Sequence, residues 1–123
     1  MKAIQPNDVA VPRSPLSPVV ESDGLVYTSG QVAFGDDGEI VDGGFEEQTR
    51  QVFENLRRSL AAAGCGFEDV LKVNAYLPDL GNFAVFNEIY REHFREPYPA
   101  RTTVGAALAP GLLVEIEAVA RRR

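Results

Sequence analysis

Apolar and polar positions recur with different periods along this chain, and each change of period marks an element. Residues 25 to 34, LVYTSGQVAF, are rich in β-branched and aromatic side chains, which predicts a strand. The interior Ser29-Gly30 step predicts a bulge, or a close approach of backbone to another group. Gly35-Asp36-Asp37-Gly38 is a turn signal, and Glu39-Ile40-Val41 is expected to return as a short strand of a hairpin. From Phe45 to Ala63 the period becomes helical: Thr49, Val52, Phe53, Leu56, Leu60 and Ala63 recur every three or four residues as one apolar stripe. Glu46 and Glu47 open this helix and Arg57 and Arg58 lie nearer its end, the sense a helix dipole favours. Gly64 is placed to stop it.

VLKVNAYL, residues 70 to 77, alternates as a half-buried strand. Leu71, Val73, Ala75 and Leu77 share one face, and Lys72, Asn74 and Tyr76 the other. After Pro78-Asp79 a second helix is expected from about Leu80 to Phe94, with Phe83, Phe86, Tyr90 and Phe94 on its core side. Pro97 and Pro99 end it, and RTTVGAAL from Arg101 begins another strand. Pro110-Gly111 turns the chain, and LLVEIEAVA returns as the last strand. Val114, Ile116 and Ala118 share one of its faces, Glu115 and Glu117 the opposite one. The four prolines of the first 18 residues favour loop there. The economical architecture is α+β: a single mixed β-sheet with two helices packed on one face, in one domain spanning residues 1–123.

Composition bounds the function. With 45% hydrophobic and 24% charged residues, a chain of this size can bury a core without a metal or disulfide. One cysteine, Cys65, excludes an intramolecular disulfide and suits a reducing cytosol, so a cytoplasmic location is expected. The opening MKAIQPNDVAVPRSPLSP has no apolar stretch fit for a signal peptide, and no segment approaches a membrane span. A formal net charge of -6 disfavours general nucleic-acid binding; Arg121, Arg122 and Arg123 read as a solvated tail.

Most catalytic motifs are missing. There is no glycine-rich phosphate loop and no GxSxG elbow. His93 is the only histidine and reads as structural. Cys65, between two glycines with nothing basic adjoining it, lacks the electropositive setting of a reactive thiol. What remains is Arg101, at the start of a strand, and Glu115, expected on the neighbouring one. A guanidinium there can bind a carboxylate through two parallel N–H bonds, and a glutamate can orient or deprotonate a water. An ion pair or plain surface charge explains the same two residues.

PARTTV followed by VEIEAVA resembles the C-terminal signature of the RidA/YjgF family of small imine and enamine deaminases. SPLSPVV, YTSGQV, QVFENLRRSLAAAGCGFEDVLKVNAYL and FAVFNEIYREHF agree with that family in order and spacing, so the resemblance spans nearly the whole chain. It implies a six-stranded mixed sheet with two helices, related to the chorismate-mutase-like fold, assembled as a homotrimer with ligand clefts between adjacent subunits. It also implies hydrolytic deamination of 2-imino or enamine acids, formed from 2-aminoacrylate and related intermediates, to 2-oxo acids plus ammonia, with no cofactor or metal. By this resemblance Arg101 matches the arginine that clamps the substrate carboxylate, and Glu115 the glutamate that positions the attacking water. Leu16, Ser29, Gly30, Asn87 and Thr103 match cleft-lining positions. Leu16 stands where many members have an aromatic, often tyrosine, and Thr103 where many have cysteine. The alternative is a non-catalytic trimer binding 2-oxo acids as a regulator. A ribonuclease reading, attached to some relatives, is opposed by the net acidity and the lack of a histidine pair.

Overall fold

A computed structural model describes residues 1–123. The strands are β1 (Lys2–Ile4), β2 (Val19–Ser22), β3 (Leu25–Thr28), β4 (Val70–Leu77), β5 (Ala100–Gly105) and β6 (Glu115–Arg121). The helices are α1 (Phe45–Ala62) and α2 (Phe83–His93). All six strands form one sheet in the order β1-β2-β3-β6-β4-β5, antiparallel except for the parallel pair β4–β5. The expected α+β layout of two helices on one mixed sheet is what forms.

α1 covers the sheet with the stripe its periodicity announces: Thr49, Val52, Phe53, Leu56, Leu60 and Ala63 are all buried. Gly64 follows the helix at φ +77°, a left-handed conformation that glycine enters without strain. Arg57 and Arg58 sit inside the helix rather than in its last turn, which holds no basic residue. They serve ion pairs instead: Arg57 with Glu54, and Arg58 with Glu54, Asp8 and Asp36, which ties two loops to the helix. Phe53 is the hub where α1 meets α2. Phe86, Tyr90 and Phe94 have ring centroids 6.1 to 6.2 Å from it. The His93 ring lies flat on it at 4.3 Å while bonding through Nδ1 to the Ile89 carbonyl. The lone histidine is thus a packing residue, and Cys65 is buried in the same core.

Four boundaries and one strand register differ from expectation. The strand from Leu25 stops at Thr28: the Ser29 N–H still donates to the Pro18 carbonyl, but Pro18 has no N–H to return the bond, and pairing with the last strand resumes only at an isolated Gln31–Ile116 bridge. Between Tyr27–Val119 and Gln31–Ile116 the first segment advances by one residue more than its partner, so Ser29-Gly30 is a bulge as its composition indicates. The following hairpin shrinks to one bridge, Phe34–Ile40. In β4 a second irregularity, between Val70 and Lys72, turns Val70 inward and leaves Leu71 exposed. The second helix opens as a separate 3₁₀ turn (Leu80–Asn82) capped by Asp79, and Phe83 is exposed rather than core. β6 begins at Glu115, not Leu112.

The largest correction concerns neighbours. β5 and β6 do not pair; β4 lies between them. The β4–α2–β5 segment carries the chain over the sheet and lays β5 parallel to β4 at the edge. β6 then takes the opposite side of β4.

Candidate functional site

The strand register decides which side chains share a face. Arg101 lies beside Val73 and Thr103 beside Ala75, and Val73 and Ala75 are buried beneath the helices. Arg101 and Thr103 therefore project on the helical face of the sheet. Glu115 lies beside Tyr76, whose other neighbour is Val104, and all three belong to the opposite, helix-free face. Within one chain the structure does not bring Arg101 and Glu115 together. It leaves two candidate half-sites on opposite faces of the sheet.

The first half-site is held by α2. One terminal nitrogen of Arg101 donates to Asn87 Oδ1 at 2.8 Å. The guanidinium carbon stands 4.7 Å from the centroid of the Tyr90 ring, with Phe86 at 5.5 Å and Phe83 at 5.6 Å. These rings stack against the cation and fix its plane. The helix that supplies the aromatic stripe thus also supplies the bed of the arginine, a second use of residues read only as core. No acidic side chain pairs with Arg101, so the ion-pair explanation fails and donor N–H groups remain for an anion. The Thr103 Oγ1 and Tyr90 hydroxyl atoms are buried nearby without hydrogen-bond partners. Burial pushes the Tyr90 phenol up to about 12, partly offset by Arg101, so it stays protonated.

The second half-site is built where β6 begins. The Glu115 carboxylate lies directly over Gly30: a Cβ added there would stand 2.3 Å from Oε2. Only a residue without a side chain admits that approach. Burial raises the Glu115 proton affinity above that of an ordinary carboxylate, and the nearby Glu117 charge raises it further. The Ser29 hydroxyl donates to the Ser17 carbonyl at 2.6 Å, so it pins the PLSP segment beside the bulge. Leu16, half exposed, lines a groove of about 570 Å³ with Pro15, Tyr27 and Ser29. A second groove of about 630 Å³ shares Leu16 and Ser29 and adds Gly30.

Two residues outside the expected set belong to this face. Tyr76 donates its hydroxyl to Glu117 Oε1 at 2.6 Å, and that bond pushes the phenol up to about 12. Alternation put both residues on the outer faces of their strands, but their meeting depends on the β4–β6 register. No three His, Cys, Asp or Glu side chains converge as a metal-ligand set. The buried Cys65 thiol is pushed up by desolvation and by Asp69, the reverse of an activated thiol.

Comparison with known proteins agrees with this fold and these motifs. The family model described as "Endoribonuclease L-PSP" matches residues 7–122. The chain is 44% identical to the mitochondrial protein mmf2 of Schizosaccharomyces pombe over 110 residues, covering 86% of each chain. It is 41% identical to the human 2-iminobutanoate/2-iminopropanoate deaminase over 108 residues, 86% of this chain and 79% of the relative. The crystal structure of RidA from an Antarctic Psychrobacter superposes with a TM-score of 0.93 at 39% identity, covering 98% of this chain and 99% of that one. A mitochondrial relative means that the cytosol is not the family's single compartment. No helix here is long and apolar enough to cross a membrane. The chain belongs to the RidA/YjgF family.

Proposed function

We propose that this protein hydrolyses short 2-imino acids, and the enamines in equilibrium with them, to 2-oxo acids and ammonia, at sites completed between subunits of a homotrimer. The observation that carries the reading is the state of Arg101. It is a partly buried guanidinium, stacked on aromatic rings and held by Asn87, with no acidic partner of its own. Such a group is a receptor for a substrate carboxylate. Because Glu115 lies on the other face of the sheet, the carboxylate clamp of one subunit would meet the Glu115–Gly30 half-site of the next. The deaminase name of the human relative, at 41% identity, supports the reaction class.

In this mechanism Arg101 grips the carboxylate with two N–H bonds, and Asn87 keeps the guanidinium in plane. Thr103 on the clamp side, with Ser29 and Gly30 on the other, flank the C=N group, and Leu16 forms the wall for the substrate's side chain. Water bound to Glu115 attacks the imine carbon. Glu115 takes a proton from that water and returns it to nitrogen. The C–N bond then breaks as the remaining hydroxyl proton passes to nitrogen, and ammonia leaves. The reaction is intrinsically easy, so positioning and modest acid–base help suffice, and no cofactor is required. The buried Cys65 suits a reducing compartment such as the cytosol.

The test generates 2-aminoacrylate from serine with a dehydratase and follows imine decay and pyruvate release. Acceleration by this protein is expected. Binding of a 2-oxo acid without turnover would move the function to a regulatory receptor. Subunit mixing tests the shared cleft. Arg101→Ala and Glu115→Gln chains, each inactive alone, should regain activity when refolded together, at about a quarter of the clefts for random trimers. Three chains of 13.4 kDa should appear in light scattering as a species of about 40 kDa.

A further inference from the structure

The helix-free face of the sheet carries an arrangement that folding alone disfavours. Glu115 and Glu117 stand two residues apart on the same face of β6, both half-buried, and neither pairs with a cation. Like charges so placed repel. The groups facing them are few. From β4 come the uncharged Asn74, directly across from Glu117, Tyr76, bonded to Glu117, and Lys72, whose ammonium donates instead to Thr102 Oγ1 at 2.9 Å. β3 contributes Tyr27 across from Val119, the bulge after it the uncharged Gly30, and β5 the uncharged Thr102 and Val104. Arg121 lies four residues beyond Glu117, at the exposed end of the strand. Lys72 could neutralise the pair from the same face, yet it is held elsewhere, while a phenol is spent on fixing Glu117.

We propose that Tyr76 and Glu117 are a positioning pair for Glu115: the phenol holds the Glu117 carboxylate in place, and that stationary negative charge strengthens Glu115 as the proton acceptor for the attacking water. The inference rests on the reading of Glu115 as the water-activating group. During turnover the new C–O bond forms as the C=N π electrons move to nitrogen, and the proton released by water passes to Glu115. A weak carboxylate base would lose that proton to solvent. Glu115 beside a fixed anion retains it until the amine nitrogen takes it; the hydroxyl proton then follows to nitrogen as the C–N bond breaks, and ammonia departs. Tyr76 is suited to its part because its phenol stays protonated throughout the neutral range and so always donates.

Glu117→Gln keeps the size and the acceptor for Tyr76 but removes the charge. Two readouts are combined. In protein labelled with ¹³C at the glutamate carboxyls, the Glu115 resonance is identified by its loss in Glu115→Gln and titrated in wild type and variants. In parallel, kcat/KM for imine hydrolysis is measured across pH. In Glu117→Gln the Glu115 midpoint should fall towards the ordinary carboxylate range, and the acid limb of the rate profile should move to lower pH. At neutral pH kcat/KM should drop about tenfold, part of the roughly 10²–10⁴ that positioned acid–base groups supply. Tyr76→Phe should move both readouts the same way by less, and thermal unfolding should change little in either variant. A purely structural role would move the melting curve and leave the titration alone. An unchanged Glu115 titration in Glu117→Gln overturns the pair and leaves the deaminase reading standing. Full activity in Glu115→Gln overturns Glu115 as the acceptor, whatever the titration shows.

Discussion

Replacing Gly30 with alanine tests the second half-site at a single atom. The new Cβ would sit 2.3 Å from Glu115 Oε2, 2.7 Å from its Cδ and 3.0 Å from its Cγ, and no backbone atom is among those contacts. Ordinary contact begins near 3.4 Å, so the carboxylate must retreat by about 1 Å. Gly30 is not among the positive-φ glycines, so alanine fits the backbone. Pushing Glu115 off its rotamer costs about 0.5–1.5 kcal/mol, and the alanine offsets about 0.4–1 kcal/mol of that by restricting the unfolded chain. Net stability should therefore move by less than about 1 kcal/mol. Catalysis should respond far more, because a misplacement of about 1 Å can cost 10²-fold in rate, about 2.7 kcal/mol of barrier. Steady-state pyruvate formation and thermal unfolding, run on Gly30→Ala and on a Gly44→Ala control whose Cβ meets nothing within 4 Å, separate the two effects. Wild-type kcat/KM in Gly30→Ala would refute the placement of Glu115 in the chemistry. A melting loss as large as that of a core mutant would refute the claim that only a side chain yields.

Arg101→Lys keeps the charge but not the planar fork or the fit to the aromatic bed, so kcat/KM should fall by about 10²-fold, and saturation kinetics should show the loss chiefly in KM. Phe53→Ala empties the hub between α1 and α2, where the ring is 0% exposed. It should cost about 3–5 kcal/mol, seen as a melting temperature lower by about 10 °C or more. Glu54 titrates below its ordinary value of 4.5, first because of its hydrogen bond from Arg57 and then because of Arg58. A carboxylate lowered by folding contributes stability above pH 4.5 that is lost as pH falls through the folded value. Urea denaturation at pH 7 and pH 4 should therefore show a smaller acid loss for Glu54→Gln than for wild type, by a modest amount because Glu54 is 38% exposed.

The two helices, the turns between elements, the face of β6 and that of β4 from Val73 onward could be read from periodicity, because each depends on residues within a few positions of one another. The α1 stripe and the Val114, Ile116, Ala118 face matched their burial. Local reading failed where a single residue slips the register. At Val70–Lys72 the irregularity exchanges Leu71 for Val70 in the core, and no spacing within VLKVNAYL reveals it. Arg101 and Asn87 could be named as candidate site residues from their motifs, but the aromatic bed beneath the guanidinium was read only as packing.

Which strands lie side by side is a different kind of fact, set by contacts between segments far apart in the chain. Chain order placed Arg101 and Glu115 on consecutive strands and invited a site between them. The insertion of β4 between β5 and β6, together with the two-residue period of side chains, sends them to opposite faces. Residue types and local spacing left Arg101 and Glu115 open between a surface ion pair and an anion receptor with a water-orienting glutamate, and only the match of the surrounding motifs to a family favoured the second reading. Their division into two half-sites, the approach of Glu115 to Gly30 and the bond from Tyr76 to Glu117 came only with the folded sheet, since each depends on a register that hydrogen bonding between distant strands selects.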